Sequence, residues 1–201
     1  DIAFMSMGLI CFIGFLSTLV LLPPVKNEVA AFRGGGPQKY AVILKNRRIV
    51  GLCMFMLAYI VCIGSVWSFI PLLADLQFHF STFSIGLLIT LSVLISAALM
   101  TPMGFITDKY SKKVLMGTGG ILIIASMLML VFARHPWQLY LASILIGLGG
   151  GISVPSVMAL AVIAGRATGG MASMMALITI AHSLGMLAGP VLIGAVIDMM
   201  N

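Results

Sequence analysis

Six stretches of the chain contain no Asp, Glu, Lys or Arg, and each is about as long as a membrane-crossing helix. They cover residues 3–22, 49–74, 83–107, 114–133, 138–165 and 171–197. A helix needs about 20 apolar residues to cross roughly 30 Å of hydrocarbon. Strands of a membrane barrel would alternate apolar and polar residues, whereas these stretches are apolar on all sides. The pattern therefore predicts an all-α, polytopic transmembrane helical bundle with six spans.

Composition and charge support a membrane location. The chain is 61% hydrophobic and only 8% charged, against roughly 25% charged residues in soluble domains. Its basic residues lie at the ends of spans and form no basic face, so they do not indicate nucleic-acid binding. All of them except Arg134 fall in the connections 23–48, 108–113 and 166–170. The positive-inside rule places these three loops in the cytoplasm. We expect the protein to lie in a bacterial or archaeal cytoplasmic (inner) membrane.

One connection is much longer than the others. It spans 23–48, begins with two prolines that end the first helix, and contains a flexible Gly-Gly-Gly-Pro run. The predicted organisation is an isolated helix over 1–22, a cytoplasmic linker over 23–48 and a helical bundle over 49–201. Because the chain starts and stops almost directly on a span, we expect it to be a piece of a longer protein.

Two glycine pairs and two prolines lie inside the later spans. Glycines four residues apart share one helix face, where a neighbouring backbone packs closely, and a proline inside a helix removes a hydrogen bond and favours a bend. Bent helices are frequent in transporters, although tight packing alone also accounts for the glycines. The residues are Gly147 with Gly151, Gly185 with Gly189, Pro155 and Pro190.

Residues 104–113 read Gly-Phe-Ile-Thr-Asp-Lys-Tyr-Ser-Lys-Lys. This resembles the loop signature of the major facilitator superfamily, in which a glycine and an aspartate four residues later precede basic residues; Ser111 stands where glycine is usual. In that family the signature joins the second and third helices of each six-helix half on the cytoplasmic side, where the charge pattern places this loop. Residues 185–194 are similar to the antiporter motif of the family's fifth helix, with Ile193 replacing one glycine.

The resemblance implies a twelve-helix fold of which this chain holds part. Residues 1–22 would be the last helix of the first half, 23–48 the central linker, and 49–201 the C-terminal bundle without its final helix. The implied partner is the missing N-terminal half. The implied function is secondary active transport of a small solute by alternating access, as proton-coupled efflux by an antiporter.

The resemblance also supplies the first set of site residues. Asp108, among Lys109, Lys112 and Lys113 at a helix end, would cap a helix or pair with a base when the cytoplasmic side is closed. Gly104 would allow close approach of an adjacent helix. These five residues are predicted to form a cytoplasmic gate, although the bases also serve as topology anchors.

A second set follows from the residues alone. His182 is the one Asp, Glu, Lys, Arg or His residue deep within a span, and ionisable groups there are costly and often functional. Thr179 and Met186 lie at helical spacing from it, so the three are a candidate substrate or proton path; a neutral histidine bonded to a neighbouring helix is the alternative. Aromatic residues of the second span, Tyr59, Trp67 and Phe69, form either a cavity wall or part of an interfacial belt.

Other chemistry finds little support. Cys11, Cys53 and Cys62 lack metal or disulfide spacing, the methionines lack copper-site pairing, and no nucleotide-binding or protease motif occurs. We therefore expect no cofactor, no metal and no enzyme activity. The apolar spans without buried acids favour a lipophilic or neutral substrate. A membrane scaffold or receptor-like protein remains the alternative, and a membrane-embedded enzyme is a more distant one.

Overall fold

The computed structural model describes residues 9, 11–13, 16–17 and 45–200, without the side chain of Met200. The chain divides into two units, Asp1–Gly36 and Pro37–Asn201. In the first unit the described residues are helical, and the Ser17 hydroxyl donates to the Ile13 carbonyl at 2.8 Å. The remainder of the predicted span 3–22 and residues 23–44 of the predicted linker lie outside the described residues.

The second unit contains five helices, named here α1 to α5 in chain order. Each is long and apolar enough to cross a membrane, with lengths from 20 to 33 residues. Each coincides with one predicted span to within a few residues, which confirms the all-α class and the transmembrane helical bundle. The helices are α1 (Arg47–Phe78), α2 (Thr82–Lys109), α3 (Lys112–Val131), α4 (Pro136–Thr168) and α5 (Met171–Met200).

Polar residues ahead of three of the helices set where those helices begin. Asn46 Oδ1 accepts from the Arg48 amide at 3.0 Å ahead of α1, and Ser81 Oγ accepts from the Ser84 amide at 3.3 Å ahead of α2. The Gln138 side chain accepts from the His135 amide at 2.8 Å at the start of α4. These bonds satisfy amides that have no partner within a helix. Helices α1, α2 and α4 therefore each begin beside a polar side chain that accepts from an otherwise unpaired amide.

The five helices are arranged around α4 and α1. Helix α4 lies between α2 and α3, which scarcely touch each other, while α1 packs along most of α5. Contacts of α4 with α5 and α1 join the two groups into one bundle. Because successive helices run antiparallel, Arg47, Lys109, Lys112 and Arg166 share one end of the bundle, which we call the basic end.

Two clusters of buried apolar residues form the core. The first lies toward the basic end and joins α1, α4 and α5; the second lies toward the opposite end and joins α1, α2 and α4. The first consists of Ile49, Leu52, Met56, Ile60, Val157, Ala161, Met174, Ile178 and Ala181, and the second of Ile63, Val66, Ile70, Ala74, Leu88, Ala133, Leu139 and Ile146.

Buried serine and threonine side chains occur on the helices of the bundle, among them Ser126, Ser156 and Thr107. The Ser126 hydroxyl donates to the Ala142 carbonyl at 3.0 Å and so links α3 to α4. Within the described part of the chain, no buried side-chain nitrogen or oxygen lacks a hydrogen bond. This completeness matters in hydrocarbon, where no water is available to replace a missing partner.

Proline lies inside four of the five helices, at Pro71, Pro102, Pro155 and Pro190. Pro155 and Pro190 are the two at which the sequence predicts bends. All four helices continue through their prolines.

Candidate functional site

A groove opens between α1 and α2 near the middle of both helices, with α4 as its floor. Its volume is about 270 Å³, and we call it the central groove. Most of the lining is apolar, and its polar side-chain groups are the hydroxyls of one tyrosine and two serines and the indole N–H of a tryptophan. No charged side chain lines it among the described residues. The lining residues are Tyr59, Ile63, Trp67, Ser92, Val93, Ser96, Ala97, Met100 and Ile146.

Glycines of α4 bring the walls of the central groove together. A Cβ atom at Gly147 would lie 2.6 Å from the Ser92 carbonyl oxygen of α2, and one at Gly150 would lie 2.7 Å from the Tyr59 hydroxyl and 3.3 Å from Ser96 Oγ. A side chain at Gly147 would push the α2 backbone away, whereas one at Gly150 would displace the Tyr59 hydroxyl. The glycine run therefore places the Tyr59 and Ser96 hydroxyls on the same side of α4, where they can donate to and accept from a neutral solute.

The Gly185 and Gly189 pair lies where α5 crosses α1. A Cβ at Gly189 would lie 2.5 Å from the Val61 carbonyl oxygen, and the Ser65 hydroxyl donates to the Gly189 carbonyl at 3.0 Å. Pro190 has no amide to donate to the Met186 carbonyl one turn earlier. Helix α5 thus meets α1 by close backbone packing at the place where its own hydrogen bonding is interrupted.

The α2–α3 connection holds the residues that the family resemblance assigns to a gate. The side chains of Asp108, Lys109 and Lys113 are exposed. Lys112 is half-buried, and its ammonium donates to the Thr107 carbonyl at 2.9 Å. A Cβ at Gly104 would meet no atom of the described residues within 4 Å, so a helix that approaches it closely would come from outside them.

The three residues of the predicted substrate or proton path, Thr179, His182 and Met186, have different surroundings. Thr179 is exposed and its hydroxyl donates to the Met175 carbonyl of its own helix at 3.0 Å. His182 is half-buried, and Met186 packs against the first core cluster. None of the three lines the central groove. A substrate or proton path through them therefore stays a prediction.

The three α1 aromatic residues that the sequence analysis considered lie on different surfaces. Tyr59 and Trp67 line the central groove, whereas Phe69 lines a second, apolar groove of about 460 Å³ between α1, α3 and α5. The aromatic residues most exposed at the end opposite the basic end include Phe83, Phe132 and Trp137, as expected for a belt at a membrane interface.

Sequence reasoning did not single out several residues of these sites. Ser92 and Ser96 lie one helical turn apart on α2, and this spacing was the available signal for a polar wall. Thr107 and Gly150 gave no signal of their own, because their roles depend on neighbours from other helices. Among the described residues, no group of His, Cys, Asp and Glu side chains is arranged to hold a metal ion.

Comparison with known proteins gives one match. The model of the Major Facilitator Superfamily matches residues 55–201, which is well over half of the chain and includes nearly all of the five described helices. No curated protein and no solved structure matches the chain. The matched region contains both the α2–α3 loop signature and the glycine-proline segment of α5. The chain therefore belongs to the major facilitator superfamily of membrane transporters.

Proposed function

We propose that the protein is a proton-coupled antiporter that exports an uncharged, lipophilic solute by alternating access. In this proposal residues 49–201 belong to the C-terminal half of the transporter, and the basic end of the bundle faces the cytoplasm. The positive-inside distribution of Lys and Arg supports this orientation.

The observation that carries the proposal is the chemistry of the central groove. Substrate sites of secondary transporters lie near the bilayer midplane, between the two halves. The central groove lies near the middle of α1 and α2, and it offers two aromatic rings, a flexible methionine and three hydroxyls without a charge. Because nothing in it would neutralise an ionic group, it suits a neutral solute that stacks on Tyr59 and Trp67 and bonds to Ser96.

The exposure of α2 supports a second half that covers this groove. Of its 28 residues only Leu88, Ser92 and Thr107 are buried. A Cβ at Gly104 would meet no described atom within 4 Å, and Asp108 is exposed. Contacts from Asp108 to the other half, made when the cytoplasmic side is closed, would stabilise the outward-open state. Loss of these contacts would shift the population toward the inward-open state.

For proton coupling, we assign His182 as the residue of this half that binds and releases a proton. Imidazole gains and loses a proton near neutral pH, and His182 is half-buried on α5 beside the exposed Thr179. The remaining coupling groups would belong to the partner half.

Efflux of Nile red, an uncharged lipophilic dye, tests the proposal. Cells that lack their own exporters and produce the full-length protein are loaded with the dye without energy and then re-energised. We expect faster loss of fluorescence than in cells with an empty vector, and we expect a protonophore to abolish the difference. Efflux equal to the empty vector for Nile red and for a panel of neutral dyes would argue for a scaffold instead.

Two variants locate the activity within the protein. Ser96→Ala removes a hydroxyl from the central groove and should raise the half-saturating dye concentration several-fold, since a lost hydrogen bond costs about 1 kcal/mol. Asp108→Asn should lower the maximal rate, while the control Asp75→Asn, an exposed carboxylate at the opposite end of the bundle, should leave it unchanged. Equal membrane levels of all variants are verified by immunoblot.

A further inference from the structure

The three lysines of the α2–α3 connection are not equivalent. Lys109 and Lys113 are exposed, whereas Lys112 is half-buried and donates from its ammonium to the Thr107 carbonyl at 2.9 Å. Thr107 belongs to the last turn of α2, and Lys112 is the first residue of α3. The bond therefore spans the two-residue connection of Tyr110 and Ser111 and ties the end of one helix to the start of the next.

The acceptor of this bond is itself held in the core. Thr107 is 1% exposed, and its hydroxyl donates to the Met103 carbonyl at 2.6 Å. The same hydroxyl lies 3.4 Å from the hydroxyl of Ser156 on α4. Lys112 is thus attached to a residue that packs against the central helix of the bundle, rather than to a mobile surface group.

The chemistry of a helix end explains why a lysine is used there. The last carbonyls of a helix have no amide partner within it and carry partial negative charge. An ammonium on the next helix satisfies one of them with a charge-assisted bond, which is about twice as strong as a neutral one. Ser111, which precedes α3, makes no side-chain bond to cap that helix, so Lys112 is the side chain seen to fix this turn.

We propose that Lys112 is a positioning residue: by bonding to the Thr107 carbonyl it fixes the α2–α3 connection, so that Asp108, Lys109 and Lys113 are presented together on the exposed side. This inference rests on the proposed function, because it gives Asp108 the gate role. It assigns Lys112 a different task from the two other lysines that the family signature groups with it.

Hydrogen exchange in the full-length protein in lipid nanodiscs tests the local part of the proposal. The peptide to follow covers 106–115, in which the Tyr110 amide donates to the Ile106 carbonyl at 3.0 Å. We expect Lys112→Met to accelerate exchange in this peptide about tenfold, as the loss of one charge-assisted bond predicts. Lys112→Arg retains a donor and should restore most of the protection, and Lys113→Met should leave exchange as in the wild type.

Nile red efflux tests whether Lys112 affects transport by positioning Asp108. Lys112→Met alone should slow efflux, whereas Lys112→Met combined with Asp108→Asn should be no slower than Asp108→Asn alone, because residues that act as one unit are non-additive. Two independent effects that multiply in the double variant would overturn the proposal.

The exchange and efflux experiments can fail independently, and each failure refutes a different statement. Unchanged exchange in Lys112→Met, or equal acceleration in Lys112→Met and Lys113→Met, would refute the positioning role, since the second result would reflect charge alone. If Asp108→Asn leaves efflux unaltered while Lys112→Met still accelerates exchange, the gate assignment of Asp108 in the proposed function is wrong, and Lys112 is a purely structural cap.

Discussion

The packing of α1 against α5 gives a quantitative prediction for Gly189→Ala. The added methyl carbon would lie 2.5 Å from the Val61 carbonyl oxygen and 2.8 Å from the Ser65 amide nitrogen. Both are backbone atoms, so no side-chain rotation relieves the overlap. Carbon and carbonyl oxygen ordinarily approach to about 3.3 Å, and the two helices would have to separate locally by roughly 0.8 Å.

A separation of that size weakens the packing of α1 against α5 and so lowers the free energy of unfolding. A gap of 0.5–1 Å forfeits roughly a quarter to a half of each dispersion contact that it affects, and overpacked cores lose about 1–3 kcal/mol. The bond from the Ser65 hydroxyl to the Gly189 carbonyl would also lengthen, and such bonds between membrane helices contribute on average about 0.6 kcal/mol. We therefore expect Gly189→Ala to lower the free energy of unfolding by about 2–3 kcal/mol.

Equilibrium unfolding in mixed micelles of dodecyl maltoside and SDS, followed by circular dichroism, measures this change. Gly117→Ala is the matched control, because a Cβ at Gly117 meets nothing within 4 Å. Ser65→Ala separates the two contributions and should cost only the hydrogen-bond share. Equal stability of Gly189→Ala and Gly117→Ala would refute the inferred crossing of α1 and α5.

Three further predictions concern other parts of the bundle. Gly147→Ala, whose methyl would lie 2.6 Å from the Ser92 carbonyl oxygen, should destabilise the bundle by about 1–3 kcal/mol in the same unfolding assay. Ser126→Ala removes the hydroxyl that donates from α3 to the Ala142 carbonyl and should cost about 1 kcal/mol there; no change would mean that the two helices repack. His182→Gln should lower the proton-driven rate of dye efflux, since glutamine cannot carry a proton, and an unaltered rate would exclude His182 from the proton path.

The sequence predicted which segments form helices, and the reason is physical. Backbone groups in hydrocarbon have to be bonded internally, so uncharged stretches of this length have few alternatives to helices. The ends agree with the uncharged stretches to within a few residues, and Asn46, Ser81 and Pro136 are typical residues for helix starts.

Which helices pack against each other was not readable from the sequence. Stretches that are apolar on all sides show no stripe that would mark an inward face, so the pairing of α1 with α5 and the position of α4 between α2 and α3 had no signal. The four-residue spacing of Gly185 and Gly189 indicated a close contact but not its partner. That partner is decided by Gly64 and Ser65 of α1, more than a hundred positions earlier in the chain.

The candidate site shows the same limit. Lys112 and Lys113 are adjacent in the sequence, and only the tertiary position of Thr107 distinguishes the capping lysine from the exposed one. The aromatic residues of α1 were grouped by residue type, yet Trp67 and Phe69 point about 200° apart around a helix. Helical geometry alone predicts that they lie on different surfaces of α1, and in the structure Trp67 lines the central groove and Phe69 the second groove.

Labelling of the central groove from both sides of the membrane tests alternating access without knowledge of the substrate. Ser96→Cys is introduced into full-length protein in which Cys11, Cys53 and Cys62 are replaced by serine. A membrane-impermeant maleimide is then applied to right-side-out or inverted vesicles, with Ile121→Cys on the exposed side of α3 as the lipid-facing control. We expect Ser96→Cys to react from both sides, with Asp108→Asn increasing the cytoplasmic share, and we expect the control to stay unlabelled. Reaction from one side only, or no reaction beyond that of the control, would contradict a transporter whose substrate path passes through this groove.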